Sequence, residues 1–437
     1  MLTFGTDGVR GRALDELTPA YVESLGRAAV HVLGGDRWLV GRDTRASGAE
    51  LVSAFARGAT RASVSVIDLG VLPTPAVAFW SHRMGVPAAM VTASHNPWYD
   101  NGVKVFAAGG SKLGDDRERA IEEALRLDQA PADSDPVGPA PLEFDPVTVY
   151  VDHLVSGQSS LAGVRVVLDC ANGAMSAAAP EAFRRLGAEV IVIHDEPDGR
   201  NINAECGATA TGSLATAVLE HEAALGLAFD GDGDRVIAID EHGDTVDGDR
   251  LIALAALELR RRGELPGNTV VVTVMSNLGF HRAMGAAGID VVTTAVGDRW
   301  VLEALDAGGY AIGGEQSGHI IYRRLATTGD GLLAGLRLAA MVHEHGGALS
   351  EIAGSVMTSY PQVLVNVPVA VRHPQVAEEL ADEIAAAEAR LDGDGRVLLR
   401  PSGTEALVRV MVEASTDERA RAVAEDLAAV VRTRLGA

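Results

Sequence analysis

Lysine is almost missing from this sequence. Of 37 basic residues in 437, only Lys104 and Lys112 are lysines. Cysteine is nearly as scarce: Cys170 and Cys206 stand alone, with no CxxC, which excludes a disulfide framework and fits a reducing compartment. Aromatic residues make up 4% of the chain, so its cores must be built from Ala, Val and Leu. There is no basic run, and the formal net charge is −23, so the chain repels nucleic acid and anionic membrane surfaces. An anionic substrate would have to be held by a few placed cations. No apolar run approaches the length of a membrane span; the stretch at residues 251–257 is among the longest. The start, MLTFGTDGVRG, lacks a basic-then-apolar leader. The expectation is a cytoplasmic protein with no nucleic-acid partner and no membrane association.

What the chain does have is length, an apolar fraction of 47%, and a pattern written three times. WLVGRDTRASGAELVSAFARGATRASVSVIDLG begins at Trp38, VRVVLDCANGAMSAAAPEAFRRLGAEVIVIHDE at Val164, and TVVVTVMSNLGFHRAMGAAGIDVVTTAVGD at Thr269. Each reads as a β-branched strand, a small-residue turn, a helix and a second strand. Each is followed by a short apolar run ending in an unusual loop: TASHNP, DGDGDR and GGEQSGH. Ligands of open α/β sheets bind beyond the carboxyl ends of strands, so three such domains facing one cleft would bring the loops together. The tail reads differently: strands at 362–369, 396–400 and 407–413, helices at 374–391 and 417–435, the last capped by Thr416 or Asp417. A linker rich in proline is expected at 133–146. The predicted fold is α/β, with three similar βαβ-type domains at 1–146, 147–243 and 244–360 and a C-terminal α+β domain at 361–437.

The loops suggest chemistry. Asp230, Asp232 and Asp234 alternate with glycines, and three carboxylates so close repel unless a cation sits among them; hard oxygen donors favour Mg²⁺ or Ca²⁺. An EF-hand is excluded because Arg235 fills the position that needs glycine and the flanks read as strands. Ser94 follows a buried strand; a phosphoryl group on it would need a divalent cation and positive side chains around it. Lys104 is either a proton carrier, which arginine cannot be near neutral pH, or a compact cation for phosphate. Lys112 reads as an ordinary surface lysine. Glu315, Ser317 and His319 alternate on a segment expected to be extended, placing acid, hydroxyl and imidazole on one face toward a sugar. In RPSGT, Arg400, Ser402, Thr404 and the N–H groups around Gly403 form an anion nest, with Arg409 nearby. Arg10 has no partner that spacing reveals.

TASHNP with NGVK, DGDGDR, GEQSGH and RPSGT, in that order, resemble the α-D-phosphohexomutase superfamily over the whole chain, from FGTDGVRG to SGTEALVRVMVEA. Within it the nearest likeness is to the phosphoglucosamine mutase branch, carried by the early FGTDGVRG, GGEQSGHII with Gln316, TTGDG, YPQVLVNV and the tail; phosphogluco- and phosphomannomutases share the machinery. Ala326 and Ala406 depart from the usual pattern. The resemblance implies mixed sheets, a tail domain like the TATA-binding protein, and a central cleft. It implies phosphoserine at Ser94, which with Asp230, Asp232 and Asp234 binds Mg²⁺, and a sugar bisphosphate as intermediate and activator. Lys104 and His319 become proton-transfer candidates. Arg10 and Arg235 fall near the transferred phosphate, and Glu315 and Ser317 contact the sugar. Arg400, Ser402, Gly403, Thr404 and Arg409 hold the other phosphate. The implied partner is a small phosphosugar, and a homodimer is among the expectations.

Overall fold

Three sheets share one strand order in this chain, whose computed structural model describes residues 2–5, 7–127, 139–142, 144–402 and 406–436. In the first, Arg37–Arg42 lies between Ser65–Val71 and Ala88–Val91, parallel to both, and Asp100–Phe106 returns antiparallel beside Ala88–Val91. In the second, Arg165–Asp169 lies between Glu189–Ile193 and Leu225–Phe229, with Val236–Asp240 returning. In the third, Thr269–Thr273 lies between Asp290–Thr294 and Ile312–Gly314, with Ile320–Tyr322 returning. The sheets are therefore mixed. The β-α-β repeat read from the sequence supplies the parallel strands, and each unusual loop is the hairpin that joins the third strand to its antiparallel partner. The first sheet gains Gly8–Arg12, Phe4–Gly5 and Ala140–Pro141 at its edges. Half of the expected linker at 133–146 lies outside the described residues.

The strands are Val-, Ile- and Ala-rich because both faces are covered: Ala88–Val91, Leu225–Phe229, Val236–Asp240 and Thr269–Thr273 are buried throughout. The rare aromatics go deepest. Trp38 and Phe55 meet in the first core with ring centroids 5.8 Å apart. The apolar run at 251–257 forms part of a helix, Gly248–Arg261, whose N-terminus Asp247 caps by accepting from Arg250 N.

The chain divides into two compact units, one of residues 1–275 and 289–355, the other of 276–288 and 356–437. The second holds a three-stranded antiparallel sheet with Leu407–Ala414 between Gln362–Pro368 and Gly395–Pro401. Helices Ala381–Leu391 and Asp417–Leu435 accompany it, the latter capped by Thr416. The helix expected at 374–391 breaks at Leu380, whose non-helical backbone separates Val376–Glu379 from Ala381–Leu391. Helix Leu278–Ala286 belongs to this unit, where the fully buried Glu413 accepts from Leu278 N at 2.8 Å and is paired with Arg396 at 3.0 Å.

Candidate active site

The serine loop, the aspartate loop and the EQSGH loop all belong to the larger unit. Ser94 begins the hairpin after Ala88–Val91 and is 1% exposed. Its φ of +51° is in the left-handed region, which costs a non-glycine residue free energy and must be held by its surroundings. That hold comes from residues the sequence reading missed. Arg45 is buried; its guanidinium pairs with Asp43 at 2.9 Å and donates to the carbonyls of Ser94 (2.9 Å), Asn96 (2.8 Å), Asp100 (3.0 Å) and Pro97. Asp43 also accepts from Thr92 Oγ1 at 2.7 Å, and Thr92 Oγ1 in turn accepts from Ser94 N at 2.9 Å. From the second sheet's domain, Asn203 Nδ2 donates to Ser94 O and Asn96 O at 2.9 and 3.1 Å. Arg45 and Asp43 sit just beyond the strand Arg37–Arg42, so the rule that sites gather at strand ends could have singled them out. Asn203 offered no such signal.

Ser94 Oγ donates to Asp230 Oδ2 at 2.5 Å. Gly231 makes this approach possible, since a Cβ there would lie 2.7 Å from Ser94 O and 2.8 Å from Asn203 Nδ2. One carboxylate oxygen from each of Asp230, Asp232 and Asp234 lies within 4.8 Å of the others, all three residues being buried. Asp232 Oδ1 and Asp234 Oδ1 are buried without a hydrogen bond. Burial, then the charges of Asp232 and Asp234, push the Asp230 carboxyl well up. Burial would raise Asp232 too, but Lys104 and Thr74 outweigh it and hold it down. Buried oxygens with no donor, in a set of hard ligands, fit a divalent cation.

Lys104 lies on Asp100–Phe106 and bridges Asp232 and Asp234, with Nζ 2.7 Å from an oxygen of each. Burial alone would lower its pKa; the two aspartates and Asp7 overcome that and raise it. In this arrangement Lys104 is a held cation. His95 Nδ1 is 3.2 Å from Ser94 Oγ, and burial, followed by Arg235 and Arg10, lowers that imidazole to about 4, leaving it neutral at pH 7. Arg10 is paired with Asp7 at 3.0 Å and Arg235 lies 3.9 Å from Asp234, yet the Nε of each is buried without a hydrogen bond.

Two expectations need correction. Lys112 is not an ordinary surface residue: its side chain is 9% exposed and bridges Asp298 and Asp7. EQSGH is not extended. Gly318, at φ +91°, closes a turn in which its N–H donates to Glu315 O at 3.0 Å. Ser317 is exposed, Glu315 is half-buried with Oε1 accepting from Gly297 N, and His319 is buried. They therefore share a loop but not a strand face. His319 stands opposite Arg235 in an isolated bridge, its Nε2 3.4 Å from Asp298 Oδ2, with neither ring nitrogen in a hydrogen bond.

In the C-terminal unit, Arg400 and Arg409 are direct cross-strand partners. Like charges opposed in this way destabilise a sheet unless an anion intervenes. Both Nε atoms are buried without a hydrogen bond. Ser402 follows, its N–H donating to Leu407 O at 2.9 Å; Gly403 and Thr404 lie outside the described residues.

Comparison with known proteins gives a consistent answer. Four family models match: phosphoglucomutase/phosphomannomutase alpha/beta/alpha domain I over residues 1–131, domain II over 148–243, domain III over 247–360, and the C-terminal domain over 364–430. The phosphoglucosamine mutase of Thermobifida fusca is 53% identical, covering 99% of this chain and 98% of that protein. That of Salinispora arenicola is 51% identical, covering 98% of each. A crystal structure of a phosphoglucomutase/phosphomannomutase family protein from Burkholderia thailandensis superposes with a TM-score of 0.83 at 25% identity, over 99% of this chain and 98% of that one. N-acetylphosphoglucosamine mutase of Aspergillus fumigatus, solved with GlcNAc-6P and magnesium, shares the fold with a TM-score of 0.70 at 20% identity, over 99% of this chain and 96% of that one.

Proposed function

Since the chain belongs to the phosphoglucomutase/phosphomannomutase family, we propose that it interconverts glucosamine 6-phosphate and glucosamine 1-phosphate, feeding UDP-N-acetylglucosamine and cell-wall synthesis. The observation that carries the reaction is the short hydrogen bond from Ser94 Oγ to Asp230, beside Lys104 held between Asp232 and Asp234. The sugar rests on the relatives of similar sequence, which are phosphoglucosamine mutases.

Ser94 carries the phosphoryl group. The 1-hydroxyl of the 6-phosphosugar attacks phosphorus, the P–Oγ bond breaks, and the hydroxyl proton passes to a base. The sugar bisphosphate then presents its 6-phosphate; Ser94 Oγ attacks it, the bond to the sugar's O6 breaks, O6 takes a proton, and the 1-phosphate remains. Asp230, Asp232 and Asp234 would hold Mg²⁺, together with the group on Ser94, and when bound the ion neutralises charge on the phosphoryl oxygens. Arg10 and Arg235, each with a buried Nε lacking a hydrogen bond, meet those oxygens. His319, whose ring nitrogens make no hydrogen bond, takes and returns protons, and Lys104 stays a cation beside the reacting phosphate. Glu315 and Ser317 contact the sugar. Arg400, Arg409 and Ser402, with Gly403 and Thr404, hold the phosphate that is not reacting.

A cytoplasmic home belongs to the same proposal: both cysteines are free, and among the described residues no helix is long and apolar enough to cross a membrane. So do a homodimer and the absence of nucleic-acid and membrane partners, the last two supported by the net charge of −23. Ser94→Ala tests the nucleophile: turnover disappears while the melting transition stays, and substantial residual turnover refutes the assignment. Comparing kcat/KM on glucosamine, glucose and mannose 6-phosphates tests the sugar; a preference for glucose or mannose overturns it.

A further inference from the structure

A second cluster of ligand atoms lies away from the acidic triad. Asp169 ends the strand Arg165–Asp169, and His194 follows the neighbouring parallel strand Glu189–Ile193. Cys206 precedes the turn at Gly207–Thr209. One ligand atom from each of these three lies within 4.8 Å of the others. His194 Nδ1 is buried, 3.1 Å from Asp169 Oδ1, and makes no well-aligned hydrogen bond. The Cys206 side chain is buried as a free thiol, with only a 3.9 Å contact from Asn172 Nδ2. His194 is held at φ +50°, a conformation with a backbone cost that its surroundings must offset.

We propose that Asp169, His194 and Cys206 form a binding site for a borderline-soft divalent cation such as Zn²⁺. Sulfur, nitrogen and oxygen donors suit such an ion and not the hard ion that suits the acidic triad. Bond lengths of about 2.0–2.3 Å set tetrahedral donors about 3.3–3.6 Å apart, close to the spacing of His194 Nδ1 and Asp169 Oδ1, and leave a fourth position for water. Carboxylate and thiolate together balance the ion's charge. Asp169 already anchors both flanking turns, accepting from Ala171 N and Gly207 N at 2.9 Å each. The loop between His194 and Cys206 carries Asn203, which hydrogen-bonds the backbone of the Ser94 loop. The bound ion thus fastens the segment that supports that loop.

Co²⁺ titration of the EDTA-treated full chain in excess Mg²⁺ tests this. One equivalent binds with thiolate-to-cobalt charge-transfer absorption, and Zn²⁺ displaces it. Cys206→Ser abolishes the band and Cys170→Ser retains it. His194→Asn, which tolerates the positive φ, weakens Co²⁺ affinity roughly 100-fold. No charge-transfer band at stoichiometric Co²⁺, or a band that survives Cys206→Ser, overturns the proposal. If Cys206→Ser fails to fold, His194→Asn decides, since its side chain is 30% exposed; unchanged affinity there is equally fatal. None of these readouts depends on mutase activity.

Discussion

Replacing Arg45 by methionine removes a guanidinium that bonds one buried carboxylate and four carbonyls of the serine loop, while filling a similar volume. Both partners of the Arg45–Asp43 pair have side chains of 0% exposure, so no solvent screens the loss. Breaking such a pair from one side costs about 3–5 kcal/mol, because Asp43 is left buried and unpaired. Burial already raises the Asp43 carboxyl, with Arg45 and Thr92 acting against it. Removing Arg45 raises it further, so the destabilisation exists where Asp43 must ionise and shrinks as pH falls and the carboxyl is protonated. For a unit this large the loss corresponds to a fall in Tm of roughly 5 °C. The loop relaxes from its strained geometry at Ser94, and a displacement of about 1 Å costs about 100-fold in kcat. Calorimetry at two pH values and a coupled mutase assay read both effects. Arg45→Lys loses much of the same, since an ammonium cannot fork to several carbonyls. If Arg45→Met matches the parent in stability and kcat within experimental scatter, the account of how Ser94 is held is wrong.

Lys112→Met removes the cation that Asp298 and Asp7 share, leaving Asp7 only Arg10; we expect a loss of about 3 kcal/mol in denaturant unfolding, partly recovered by adding Asp298→Asn. Gly231→Ala places a methyl 2.7 Å from Ser94 O; kcat falls at least about 100-fold with KM little changed, and normal turnover would refute the close-approach argument. Asp330, which accepts from Tyr150 OH at 2.8 Å, is pushed up by burial to about 6 from 3.8. It keeps a proton in the folded state that the unfolded chain releases, so stability is greatest below about pH 4 for this group and declines as pH rises to about 6, by at most about 1.4 kcal/mol per pH unit. Asp330→Asn preserves the cap to Leu333 N and should flatten that slope in urea titrations at several pH values.

The repeated sheets were legible because periodicity records burial: Val- and Ala-rich runs such as those around Val166, Val271 and Ala89 can only be covered strands. The strand-end rule then picked out Ser94, Asp230 and His319. Local reading failed where a distant partner decides. Lys112 looks solvent-facing until Asp298 is brought to it, and nothing near Asn203 announces that it supports a loop more than 100 residues earlier. EQSGH misled because alternation presumes extended backbone, whereas Gly318 permits a turn. The break at Leu380 interrupts an otherwise continuous helical pattern, and we have no physical account of it.

The wiring behind Ser94 bears on modularity. Ser94 stands beyond a strand of the first sheet, but its hydrogen-bond acceptor and one of its supports, Asp230 and Asn203, come from the second sheet's side. A fragment ending near residue 127 would keep the serine and its arginine brace, yet forfeit the groups that make the hydroxyl useful. Repetition supplied three scaffolds of one strand order, but the groups around Ser94 come from two of them, so recombination among such enzymes should exchange the first two as a pair.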